Sequence, residues 1–96
     1  HRDLHSFPTR RSSDLGEKPL ELTVLEEYLS RYPAGEELDE VYYRLGMLLE
    51  QPWEGRDLKR SRESYETVLR EYPTSRFVLS AGERVEYLKR HFFYVR

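Results

Sequence analysis

The sequence predicts an all-α fold of antiparallel helical hairpins, about four helices of an α-solenoid. Three observations predict it. Four segments repeat apolar residues at three- and four-residue steps, each closed by a recognisable stop, and no stretch alternates as a half-buried strand would. The two Tyr-Pro stops, Tyr32-Pro33 and Tyr72-Pro73, lie 40 residues apart. At that offset the apolar positions superpose, with Leu25 on Tyr65, Tyr28 on Val68, Leu29 on Leu69, Val41 on Ala81, Leu45 on Val85 and Leu48 on Leu88. A period between about 20 and 50 residues means stacked supersecondary units.

The first helix is expected from about Pro19 to Arg31, with Leu22, Leu25 and Leu29 on one face. Pro19 suits the first turn, where its missing N–H costs nothing. Tyr32-Pro33 ends it, because the residue before a proline is pushed out of the α region, and Ala34-Gly35 make the turn. The second helix is expected from about Glu36 to Gln51 with Leu38, Val41, Tyr42, Leu45, Leu48 and Leu49 on its stripe. Gly46 sits mid-helix at a cost of about 1 kcal/mol relative to alanine, which close approach of a neighbouring helix would explain. After Pro52-Trp53-Glu54-Gly55, Asp57 is the expected N-cap of a third helix, Leu58 to Glu71, facing inward with Leu58, Ser61, Tyr65, Val68 and Leu69. A fourth is expected to begin near Ser75 as cap and to turn Phe77, Val78, Ala81, Val85, Leu88 and Phe92 inward.

The segment His1 to Leu15, HRDLHSFPTRRSSDL, stands apart. It resembles the translation of a short-read sequencing adapter joined to its primer, so it is expected to be foreign and unstructured, with the natural chain beginning at about Gly16 inside a longer reading frame. The kinase-like His1-Arg2-Asp3-Leu4 and the basic Arg10-Arg11 then carry no functional weight. Without residues 1–15 the chain keeps thirteen basic and sixteen acidic residues, a formal charge of −3. Both signs are interspersed, which excludes the clustered basic face that nucleic acid requires. All eight tyrosines belong to the remainder, and cysteine is absent, which excludes disulfides and thiolate metal sites. A core of this size supplies only about 3–5 kcal/mol, so partners or further sequence are expected.

The residues resemble the tetratricopeptide repeat family. Tyr42-x-x-Leu45-Gly46-x-x-Leu49 follows its W-x₂-L-G-x₂-Y first-helix pattern, with Tyr for Trp and Leu for Tyr. Ser61, Tyr65, Val68 and Pro73 fall where the family places small, aromatic, small and Pro in the second helix. More narrowly, Tyr72-Pro73-Thr74-Ser75-Arg76-Phe77, Ala81 and Arg84-Val85-Glu86-Tyr87-Leu88 resemble the outer-membrane-barrel assembly lipoproteins of the BamD/YfiO type and the periplasmic coordinators of the Tol-Pal system. The resemblance implies a second helix, one complete hairpin and a further first helix. It also implies a bacterial periplasmic or outer-membrane location, with any membrane attachment through a lipid anchor in further sequence; failing that, a cytoplasmic one.

Catalytic material is poor. With no cysteine, Cys-His chemistry is excluded; outside residues 1–15 His91 is the sole histidine, so Ser-His chemistry would rest on one terminal residue, and neither a cofactor nor a metal is expected. The expected function is a non-catalytic scaffold for a protein or peptide segment. The alternatives are a repeat region of a larger enzyme or sensor, or an architectural oligomerisation segment. By the resemblance, first helices line a concave groove, which nominates Tyr43, Met47, Glu50 and Gln51 and, 40 residues on, Glu83, Tyr87, Arg90 and His91; the first choices for partner binding are Tyr43, Met47, Glu50, Glu83, Tyr87 and Arg90. Trp53 either anchors a partner or folds back over a helix end, and Phe92-Phe93-Tyr94 are expected to cap the last hairpin or to meet another helix.

Overall fold

The computed structural model describes residues 17–33 and 37–93, and among these there is no strand. Four helices follow one another, α1 Glu17–Arg31, α2 Leu38–Glu50, α3 Leu58–Glu71 and α4 Val78–Leu88, each packed on the next, and a π-helical turn Lys89–Phe93 extends α4. Residues 1–15, the Ala34-Gly35 turn, the expected start of α2 at Glu36 and Tyr94 lie outside the described residues.

Both Tyr-Pro stops act at the backbone. The Tyr32 amide donates to the Tyr28 carbonyl at 2.9 Å and the Tyr72 amide to the Val68 carbonyl at 3.0 Å. Each closes a last turn that the following proline, lacking an N–H, cannot continue. Asp57 caps α3 as expected, its carboxylate accepting from the Arg60 amide at 3.0 Å. Trp53 folds back: its indole Nε1 donates at 2.8 Å to the Leu48 carbonyl, which also accepts the Gln51 amide at 3.3 Å, and so covers the end of α2. Gly55 crosses the indole so closely that a Cβ there would lie 2.4 Å from the ring.

Two expectations for α4 are corrected. Ser75 does not cap the helix, which starts at Val78 after Phe77 with no side-chain cap. The Ser75 hydroxyl instead accepts from the Phe77 amide at 3.0 Å and donates to Asp39 Oδ2 at 2.6 Å, pinning the α3–α4 turn to the start of α2. Phe92 does not turn inward but is 43% exposed. A π turn closes on the fifth residue rather than the fourth, so it is Phe93, five positions after Leu88, that packs on the core.

The core has two lobes. Leu25, Leu38, Val41, Leu45, Leu48 and Leu49 form one between α1 and α2. Tyr65, Val68, Ala81, Val85 and Leu88 form the other between α3 and α4. Register mates share their environment: Leu25 and Tyr65, Val41 and Ala81, Leu45 and Val85, and Leu48 and Leu88 are all buried. Only Tyr28 departs from its mate, half-buried where Val68 is fully so. The lobes meet at Gly46. A Cβ on Gly46 would sit 2.8 Å from the Tyr65 ring, and the Ser61 hydroxyl donates to the Gly46 carbonyl at 2.6 Å. The mid-helix glycine and the small residue opposite it therefore set how closely α2 and α3 approach.

Candidate functional site

On α2, Tyr43, Met47 and Glu50 lie at steps of four and three, which places them along one helical stripe, and Gln51 follows as the C-cap. On α4, Arg84 and Tyr87 are one turn apart. The packing of both helices on α3 brings these stripes together over an open hollow of about 510 Å³. Four of the six nominated residues, Tyr43, Met47, Glu50 and Tyr87, line it, together with Gln51, Pro52, Arg56, Arg84 and Phe92. Glu83 and Arg90 do not line it and are exposed. A second hollow of about 340 Å³ shares Tyr43, Met47 and Gln51 and reaches to Glu21 of α1.

Beneath the first hollow lies a charged knot that joins three helices. Glu50 of α2 accepts the Tyr65 hydroxyl of α3 at 2.5 Å. Its two carboxylate oxygens also accept from Arg84 of α4, Nε at 3.1 Å and Nη2 at 2.5 Å, in the forked geometry that gives guanidinium pairs their strength. Burial, then the hydrogen bond to Glu50 and its negative charge, push the Tyr65 phenol far above its ordinary value. The Glu50 hydrogen bond likewise raises Arg84, against the opposing effect of desolvation. Glu50 is thus an internal tie whose carboxylate is already engaged, and it forms the floor of the hollow.

The walls are apolar and open. Met47 is 42% exposed and Tyr87 39%. Tyr87 lies under the Arg84 guanidinium at 4.4 Å, beside the His91 ring at 4.4 Å and edge-on to Phe92 at 6.3 Å. Tyr43 is more committed to the core, stacked on Phe77 at 4.9 Å and edge-on to Tyr65 at 5.7 Å. Sequence reasoning missed Arg56 and Arg84. Arg84 aligns with Arg44 at the repeat offset, and Arg44 pairs within its own helix with Glu40 at 2.9 Å, so the repeat gives no sign of a cross-helix partner for Arg84.

Among the described residues no group of three His, Asp or Glu side chains could hold a metal ion, and no helix is long and apolar enough to cross a membrane. Stacked helical hairpins with an open aromatic face define the class as a tetratricopeptide-like helical repeat protein. Within that class, residues 15–95 match the YfiO family of outer membrane lipoproteins, and the chain belongs to it. The chain is also 28% identical over 71 residues to an uncharacterized protein of Treponema pallidum (strain Nichols), covering 74% of this chain and 14% of that protein. It therefore spans about a seventh of that relative. No solved structure matches the chain significantly.

Proposed function

We propose that the chain is a non-catalytic interaction scaffold that holds a segment of a partner protein in the groove over α2 and α4, within a longer protein that works on the periplasmic face of the bacterial outer membrane in envelope assembly. The observation that carries the reading is the exposure of Met47, Tyr87 and Phe92 together above a carboxylate that is already paired. Aromatic and Met side chains are enriched where proteins meet, and the flexible thioether adapts to varied shapes. Glu50 is engaged by Arg84 and Tyr65 in a tie between three helices. Family membership supports the location.

Selection of peptides from a displayed library on the full chain, followed by NMR mapping, tests the reading. Selected peptides should shift the amides of Met47 and Tyr87. Their affinity should fall about tenfold or more in Met47→Ser and Tyr87→Ala, the loss typical of central contact residues, and hold in Leu79→Ser, whose side chain is 81% exposed and lines neither hollow. Binding that tolerates Met47→Ser and Tyr87→Ala would overturn the groove. Tyr43 is a poor probe, since its stacking on Phe77 makes its loss a folding defect as well.

A further inference from the structure

The two hollows share Tyr43, Met47 and Gln51 and so form one face, apolar in the middle, whose ends differ in charge. At the α4 end stand Arg56 and Arg84 against Glu50. Arg84 spends Nε and Nη2 on Glu50, and the two cancel. Arg56 remains: it is exposed, its guanidinium lies 5.5 Å from the Phe92 ring, and it makes no ion pair among the described residues. At the α1 end stand Glu21 and Glu40 against Arg44. Glu40 Oε2 takes Arg44 at 2.9 Å, while the Glu40 Oε1 contact to Arg76 stretches to 4.0 Å from a side chain 73% exposed. Glu21 remains, likewise with no ion pair among the described residues.

We infer that the groove reads charge order. It takes a segment of a partner protein that carries an acidic residue at one end, seated over Arg56, a basic residue at the other, seated over Glu21, and apolar side chains between them against Met47 and Tyr87. This rests on the interaction role proposed above. The chemistry follows from complementarity: like charges brought against an unpaired Arg or Glu are rejected, and opposite ones fix register more than they add affinity. A segment of the right composition with its charges interchanged would have to reverse direction to satisfy both ends. The groove therefore sets the polarity of its occupant as well as its composition.

The test uses three short blocked peptides with one shared apolar centre, titrated into the full chain and followed by amide shifts at Met47, Arg84 and Tyr87. The first has glutamate at one end and lysine at the other, the second glutamine at both ends, the third lysine at both. The first should bind roughly three- to tenfold tighter than the second, as two exposed ion pairs allow, with the advantage shrinking as salt rises. Arg56→Gln should remove part of that advantage, and Arg56→Glu should make the third peptide the tightest of the three. Equal binding of all three at the groove amides overturns the charge reading and leaves the groove standing. Absence of shifts at those amides with every peptide overturns both.

Discussion

Helices α2 and α4 hold equivalent places in their repeats and both pack on α3, yet the stripe that α2 turns to α3 is not repeated on α4. Where α2 has Gly46 against the Tyr65 ring, α4 has Glu86, which is exposed. Where α2 has Tyr42 and Leu49, half-buried and buried, α4 has Gly82 and the polar Lys89. A helix laid on α4 as α3 lies on α2 would bury the Glu86 carboxylate. The buried stripe of the repeat, Val41, Leu45 and Leu48 on one helix and Ala81, Val85 and Leu88 on the other, is conserved between the two copies. The comparison teaches that one face of the hairpin sets the solenoid's core while the adjoining face is free to be either a helix seat or a solvated surface.

The comparison breaks most sharply at the glycine. Gly46→Leu should cost about 3 kcal/mol in chemical denaturation, because the added side chain must displace a fully buried ring. Glu86→Leu, at the same register, should change stability by less than about 0.5 kcal/mol. Equal effects would mean the two faces are not different. Next comes the register pair Arg84 and Arg44. Arg84→Met should cost about 2 kcal/mol by leaving the Glu50 carboxylate half-satisfied, a figure discounted from fully buried pairs because Arg84 is 38% exposed. A double-mutant cycle with Glu50→Gln should recover much of it. Arg44→Met should cost about 0.5 kcal/mol, as helical i,i+4 pairs do.

A dependence on pH sharpens the role of Tyr65. Tyr65→Phe should cost about 1–2 kcal/mol at neutral pH, the loss of a hydrogen bond to a charged group. Its folded pKa lies above the unfolded value, so the stabilisation from the phenol is full below about pH 10, where the unfolded tyrosine keeps its proton. It declines as pH rises further, because only the unfolded chain then releases that proton. Melting curves of the wild type and Tyr65→Phe should therefore converge above about pH 10; a constant gap would show that the phenol is not held.

Much of this was legible in the sequence wherever the cause was local. The three- and four-residue apolar spacing, the Tyr-Pro stops and the Asp57 cap each act within one or two turns, and α3 runs from Leu58 to Glu71 as its pattern requires. The start of α4 was not legible, since Ser75 is drawn off by Asp39 across 36 positions of chain. Nor was the knot, whose Glu50 and Arg84 lie 34 positions apart and out of step with the repeat. In the site, Tyr43, Met47 and Tyr87, nominated by the family resemblance and the 40-residue offset, line one hollow. Glu83 and Arg90 do not, since the offset copies positions along a helix but not the angle at which two helices face each other, and Arg90 falls within the π turn.

That turn gives the groove an adjustable part. Because Lys89–Phe93 holds one residue more than an α turn would, two consecutive phenylalanines divide their duties: Phe93 faces the core beneath the Arg62 guanidinium at 4.6 Å and Phe92 stands in the groove beside Arg56. Removing a single residue such as Arg90 would keep both rings where they are, four positions in an α turn replacing five in the π turn; restoring α geometry over the same five residues would instead bring Phe92, four positions after Leu88, over the core and turn Phe93 away from it. The aromatic wall would then turn like a key by one notch while every side chain on α2 stayed where it is. Which phenylalanine stands over the hollow is thus set by the geometry of one turn, with no substitution on α2.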